Sequence, residues 1–206
     1  MTSFQLPEKI GIDFDNTLID YSNVIHYYAV ELGFVDPGTT KDKNEIRNKV
    51  RLLDDGENKW QKLQALIYGI KISKAQIFKD VINFFQHCLM KNITIHIVSH
   101  KTIFASKDET RTNLREAALN WMYNNSFFKY VSKENVFFES TREKKIARIA
   151  QLGCQVFIDD LEEIFLEKRF PNNIRKILFN PNMKIRNKLK IETALSWKEV
   201  FQLVFK

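Results

Sequence analysis

The sequence predicts an α/β chain: a parallel sheet flanked by helices in three layers, with a small all-helical insertion after the first strand. Three observations predict it. Short apolar runs at 9–14 (KIGIDF), 93–98 (ITIHIV), 135–138 (NVFF), 154–158 (CQVFI) and 174–179 (IRKILF) have the length and residue content of strands. Segments of helical character separate them, and alternation of the two argues for a parallel sheet. The first interval is too long for one crossover: a strand–helix–strand link takes about 30 residues, whereas Thr17 to Ile93 spans more than 70.

Taken in order, 9–14 reads as a buried parallel strand ending in a carboxylate. Residues 21–34 read as a helix with Val24, Tyr27, Tyr28 and Leu32 near one face, broken by Pro37-Gly38. Two further helices follow at 42–53 and 57–69, the second ended by Gly69. Ser73 is placed to cap a helix over 74–90 with Ile77, Val81, Phe84 and Phe85 inward. Another helix is expected over 110–124. Thr141 caps one over 142–152, which Gly153 stops. Ser196 and Glu199 have capping-box spacing for a terminal helix. The expected organisation is a core of residues 1–19 and 73–206, with 20–72 as a helical cap. No linker sets the cap apart, so it reads as an insertion rather than a separate domain.

Composition narrows the class. Hydrophobic residues make up 44% and charged residues 28% of the 206, and six Gly and four Pro are too few for a disordered or linker-rich chain. Cys88 and Cys154 form no CxxC pair and lack metal-ligand spacing, which fits free buried thiols in a reducing cytosol. The opening MTSFQLPEK has no apolar h-region, and no apolar run approaches the roughly 18 residues of a membrane span. A cytoplasmic location without a membrane span is the expectation. The net charge of +7 is concentrated: residues 167–206 carry ten Lys/Arg against three Glu. Such a tail could attract nucleic acid or an anionic surface, but a solvated lysine-rich surface is the favoured reading.

Sites in open α/β sheets lie beyond the carboxyl ends of the strands. Four such ends carry polar groups here: Asp13-Phe14-Asp15-Asn16-Thr17, Ser99-His100-Lys101, Arg142 with Lys144 and Lys145, and Asp159-Asp160. Each alone has a plain explanation: Asp after a strand is a common turn residue, Ser often ends strands, and Lys144 and Lys145 would pass as surface lysines. Together, and in this order, they resemble the four motifs of the haloacid-dehalogenase (HAD) superfamily. DFDNT at 13–17 matches its Asp-x-Asp-x-Thr. Ser99 in IHIVS matches the hydroxyl ending a strand, Lys144 or Lys145 in TREKKIARI the lysine heading a helix, and FIDD at 157–160 the closing acidic pair. The resemblance covers residues 9–180. It implies a Rossmann-like HAD fold, a helical cap between the first and second motifs, and Mg²⁺-dependent phosphatase activity.

The chemistry of the residues agrees with that implication. Asp13 would be the nucleophile, splitting hydrolysis through an aspartyl-phosphate, and Asp15 the general acid/base for the leaving alkoxide. Carboxylate attack on an anionic phosphate needs a cation. Mg²⁺ accepts a few oxygen ligands, which Asp13, the Asp15 backbone carbonyl, Asp159 and Asp160 would supply. Asp160 is favoured as the direct ligand of the last pair. Ser99 and Lys145 would hold the transferring phosphoryl group. Thr17, His100, Lys101 and Lys144 complete the candidate substrate-binding set. The expected substrate is a small phosphorylated metabolite, because a cap excludes water and obstructs a polymer. A polynucleotide-end phosphatase using the basic C-terminal region, and a phosphomutase of the same fold, stand as alternatives. Dehalogenases of this fold lack the second Asp of the first motif, and Asp15 is present.

Overall fold

The computed structural model describes residues 5–108, 110–182 and 191–206. The strands are β1 (Lys9–Ile12), β2 (Ile19–Asp20), β3 (Gln76–Ile77), β4 (Thr94–His100), β5 (Val136–Glu139), β6 (Val156–Asp159), β7 (Arg175–Phe179) and β8 (Glu192–Ala194). The helices are α1 (Ser22–Glu31), α2 (Lys43–Arg51), α3 (Gly56–Tyr68), α4 (Val81–Met90), α5 (Leu114–Asn124), α6 (Arg142–Leu152), α7 (Glu162–Leu166) and α8 (Trp197–Phe205). The chain divides into two compact units. The first comprises Met1–Leu18, Ile77–His100 and Ser126–Lys206, the second Ile19–Gln76 and Lys101–Asn125.

The first unit contains a six-stranded sheet in the order β5-β4-β1-β6-β7-β8, with every neighbouring pair parallel. That is the parallel α/β sheet expected. Its sixth strand, β8, was not legible, because three residues of mixed character carry no period. β2 and β3 are two-residue strands outside this sheet. One core of the unit joins Val98, Phe157 and Leu178 on the sheet to Ile146 and Ile149 on α6 and to Phe165 and Phe170. Gly11 on β1 permits this packing, since a Cβ there would overlap the Phe157 ring. Trp197 on α8 stacks edge-on against Phe84 of α4 at 5.0 Å.

The sheet order places a topological switch at β1: the chain runs from β1 outward to β4 and β5, then returns to β6 on the other side. Ile12 is level with Ile97 of β4 and with Ile158 of β6. β1 and β6 therefore finish within one residue of each other, while β4 runs three residues past Ile97 to His100. A crevice at such a point is where ligands bind in open α/β sheets.

The second unit is helical. Ile25 and Ala29 of α1, Ile46 and Val50 of α2, Leu63 and Ile67 of α3 and Leu114, Ala118 and Met122 of α5 are buried in it. The Asp42 side chain caps α2 by accepting from Glu45 N at 2.8 Å. The Trp121 indole of α5 donates to the Ala75 carbonyl at 3.0 Å, and Arg115 Nε donates to the Lys101 carbonyl at 2.9 Å.

Two expectations differ from what is observed. The helix foreseen over 74–90 begins only at Val81. Ser73 lies in a 3-10 turn and Ile77 in β3. The chain stays extended there, with Phe78 N donating to the Leu18 carbonyl at 3.1 Å, and Asp80 turns it through the left-handed region at φ 69°. The 101–125 segment, placed with the sheet by the sequence reading, belongs to the second unit. Its amphipathic helix could serve either core; Trp121 and Arg115 tie it within the second. Of the basic C-terminal residues, Lys184, Arg186, Lys188 and Lys190 lie outside the described residues. Arg175 and Lys176 are engaged in the sheet, pairing with Glu192 at 2.5 Å and donating to the Phe165 carbonyl at 3.0 Å.

Candidate active site

Asp13 is the first residue after β1 and is 4% exposed. Its N–H donates to the Ile158 carbonyl at 2.9 Å, tying it to β6. Beyond it the chain turns sharply: Asn16 has φ 60°, and Leu18 N donates to the Phe14 carbonyl at 3.0 Å. Asn is among the few residues that accept this conformation without strain. The turn buries Thr17 completely, with its Oγ1 lacking any partner among the described residues. The Thr17 carbonyl is held from the far end of the chain by the Trp197 indole, whose Nε1 donates at 2.8 Å.

Asp159 ends β6, next to Asp13, and is fully buried. Its Oδ1 accepts from Leu161 N at 2.9 Å, and its Oδ2 lies 2.5 Å from Lys145 Nζ. The same ammonium lies 2.6 Å from Asp13 Oδ1. Lys145 is only 1% exposed. It is brought inward by the start of α6. Thr141 Oγ1 accepts from Lys144 N at 3.2 Å and fixes the first turn. Lys145 then shares the buried face with Ile146 and Ile149, while Lys144 faces solvent.

Asp13, Asp159 and Asp160 form an acidic cluster in which one ligand oxygen from each lies within 4.8 Å of the others. Asp160 is half-buried there, and Asp159 is inside the cluster beside it rather than turned away. Three carboxylates against one ammonium leave negative charge in excess. Burial alone would depress the Lys145 ammonium, but Asp13 and Asp159 outweigh it and hold it above its ordinary range. Burial lifts the Asp159 carboxyl to about 6; Lys145 pulls it down and Asp13 adds to the rise. An all-oxygen, over-negative cluster with a partly open member suits a hard divalent cation.

The other sequence-derived residues fall as follows. Ser99 is buried on β4, and Asp15 is half-buried in the turn. His100 is exposed, its Nε2 donating to the Ser140 carbonyl at 3.1 Å. Lys101 lies in the second unit, where its Nζ sits 5.4 Å from the Tyr68 ring centroid. Sequence reasoning missed Trp197, for which no local signal exists. A cavity of about 820 Å³ lies elsewhere. It is walled by α1 with Pro37, Lys41 and Lys74 and contains no residue of the carboxylate cluster.

No family model matches the sequence, and no curated protein matches it. Solved structures do match over nearly the whole chain. A HAD-superfamily hydrolase of Ehrlichia chaffeensis superimposes with a TM-score of 0.57 at 15% identity, covering 98% of each chain. The Bacillus subtilis protein YfnB, described as a HAD-hydrolase and bound to magnesium, gives 0.53 at 12%, covering 98% of this chain and all of its own. The chain has the haloacid-dehalogenase-like fold. Protein tyrosine kinase A of Mycobacterium tuberculosis gives 0.66 at 12%, covering 98% of this chain and 100% of that one. These superpositions show a shared fold. No described helix is long and apolar enough to cross a membrane.

Proposed function

We propose that this protein is a magnesium-dependent phosphomonoesterase acting through an aspartyl-phosphate on a small phosphorylated metabolite. The observation that carries the reading is the bridging of Asp13 and Asp159 by the buried Lys145, with Asp160 completing an acidic cluster at the strand switch point. A buried lysine between carboxylates is costly to build unless the site uses it. Hydrolase chemistry and magnesium in proteins of the same fold support it.

In this scheme one Asp13 oxygen attacks phosphorus, forming an Asp13–O–P bond as the ester P–O bond breaks. Asp15 gives its proton to the departing alkoxide. A water then attacks the same phosphorus, Asp15 takes its proton, and the Asp13–O–P bond breaks to release phosphate. Lys145 fixes the Asp13 carboxylate and, with Ser99, donates to the phosphoryl oxygens; Thr17 and His100 line the substrate. Asp13, Asp159, Asp160 and the Asp15 backbone carbonyl would hold Mg²⁺. The ion supplies positive charge against the incoming phosphate.

The larger piece of the helical second unit, Ile19–Gln76, is inserted after the first motif, where a cap is expected, and we assign it leaving-group selection; the other piece, Lys101–Asn125, follows the second motif. The test is phosphate release from a panel of small phosphoesters with and without Mg²⁺, comparing wild type with Asp13→Asn. Metal-dependent release that disappears in the variant supports the reading. No release above the variant from any ester, by well-folded wild type, refutes it.

A further inference from the structure

The cavity of about 820 Å³ is built wholly from the second unit and has no part in the scheme above. Its main wall is one face of α1, where Asn23, His26, Tyr27 and Val30 follow the spacing of neighbours on a helix surface. Pro37 and Lys41, from the segment after α1, and Lys74, from the 3-10 turn Ile72–Lys74, complete it. Both flanking segments are fastened. Lys41 Nζ donates to Asn23 Oδ1 at 2.8 Å, and Lys74 N donates to the Lys71 carbonyl at 3.0 Å. The volume falls within the roughly 300–1,000 Å³ of small-molecule sites, which are mostly apolar with a few placed polar groups.

Three of those groups define a ligand. Tyr27 keeps a large ring 60% exposed at the cavity. Tyr28 meets it edge-on at 5.0 Å, and Lys71 Nζ lies 5.2 Å from the Tyr28 centroid, so the exposed ring is backed by a second that is itself held. Lys74 is exposed and engages no carboxylate among the described residues. With Lys41, whose partner Asn23 is neutral, it sets two ammonium groups against one acidic side chain of the lining, Glu31. His26 Nε2 is buried with no hydrogen-bond partner among the described residues, a state that is costly unless something fills it. A bare inorganic anion would use only the lysines, and a neutral apolar compound would leave their charge unmatched. An aromatic ring bearing an acid uses both, because Tyr27 offers a stacking face and the ammonium groups offer charge-assisted hydrogen bonds.

We propose that the cavity along α1 is a second binding site, for a planar aromatic acid whose ring lies on Tyr27, whose anionic group meets Lys74 and Lys41, and whose ring edge donates to His26 Nε2. No residue of the carboxylate cluster lines it, so its ligand need not be a substrate, and the inference is independent of the phosphohydrolase reading.

The test is an NMR titration of the full, isotope-labelled chain in chelator, where the metal-free carboxylate cluster repels anions. The probes are indole-3-acetate, which has the ring, the acid and a ring N–H; indole, which lacks the acid; acetate, which lacks the ring; and tryptamine, which replaces the acid with an ammonium. Indole-3-acetate should saturate with a Kd below about 1 mM and bind about tenfold or more tightly than each of the other three. Tyr27→Ala and Lys74→Met should each weaken it about fivefold or more, and His26→Phe, which keeps a ring but removes the nitrogen, about threefold or more. Tyr27 and Lys74 are exposed, and the amide spectra establish that all three variants are folded. Absence of saturable binding, equal affinity for indole or tryptamine, or affinity that survives both Tyr27→Ala and Lys74→Met overturns the proposal.

Discussion

The indole Nε1 of Trp197 donates to the Thr17 carbonyl at 2.8 Å, joining residues 180 positions apart. The bond ties the terminal helix to the turn that carries Asp13 and Asp15. Phe84 and Phe179 flank the indole at 5.0 and 5.8 Å, so its ring cannot swing away. Trp197→Phe keeps an aromatic ring but leaves the buried carbonyl without a donor. Unfolding free energy should fall by about 1–3 kcal/mol, read from urea denaturation. Phosphate release should fall about tenfold in the still-folded variant, because the turn loses its anchor. Unchanged turnover would mean that the turn is set by Asn16 and its own backbone bond.

Lys145 offsets two buried carboxylates at once. Lys145→Met would leave Asp13 and Asp159 facing each other in a site almost closed to water. In chelator, this should cost about 3–5 kcal/mol of stability. The further change Asp159→Asn in that background should recover part of the loss, because it removes one of the uncompensated charges. A Lys145→Met protein as stable as wild type would show that the pair titrates or hydrates without cost.

His96 supplies a pH dependence separate from the carboxylates. It is buried on β4, and neither ring nitrogen has a partner among the described residues. Burial, helped by the Lys9 charge, holds its pKa below the ordinary 6.5. The unfolded chain therefore takes up the proton first as pH falls. The stability associated with neutral His96 is intact above pH 6.5 and is lost as pH falls through the lowered folded value. His96→Phe should remove that dependence. The difference in unfolding free energy between variant and wild type should grow in the variant's favour between pH 7.5 and 5, roughly tracking the lowered pKa. A difference that does not change with pH would mean that His96 is hydrated or paired in solution.

Much of the candidate site was legible because its residues sit where local signals are strong. The run KIGI before Asp13 and VFI before Asp159 mark buried strands, and a buried strand ends at the sheet rim. Lys145 was separable from Lys144 in principle: Thr141 sets the helix start, and Lys145 is four residues before Ile149, on the apolar face. Other features depend on choices that no local pattern encodes. Periodicity identifies α5 as amphipathic but not which core it joins; the Trp121 bond to Ala75 decides that. Apolar positions at 77, 81, 84 and 85 suited one long helix, yet pairing of Phe78 with Leu18 kept the first part extended. Trp197 lies in a terminal helix with no sequence relation to the motif it supports.

The Asp159 carboxyl, lifted to about 6 by burial with Asp13 adding and Lys145 opposing, would link the proposed metal binding to pH. Its folded value is above the ordinary 3.8, so the metal-free folded state holds a proton that the unfolded chain has already released. Metal-free stability therefore falls as pH rises from 3.8 to about 6, and the loss is complete above that. A divalent cation reverses this balance: it requires the ionised carboxylate and displaces the proton on binding. The rise in melting temperature on adding Mg²⁺ should be larger at pH 7.5 than at pH 5. At a concentration near 100 times Kd it should correspond to about 2.7 kcal/mol. Asp159→Asn should lessen both the rise and its pH dependence, and Asp160→Asn should lessen the rise while keeping more of that dependence. Thermal melts in chelator and in MgCl₂ at the two pH values decide the matter. A rise of the same size at both would remove Asp159 from the ligand set, and no rise at either would remove the metal from the site.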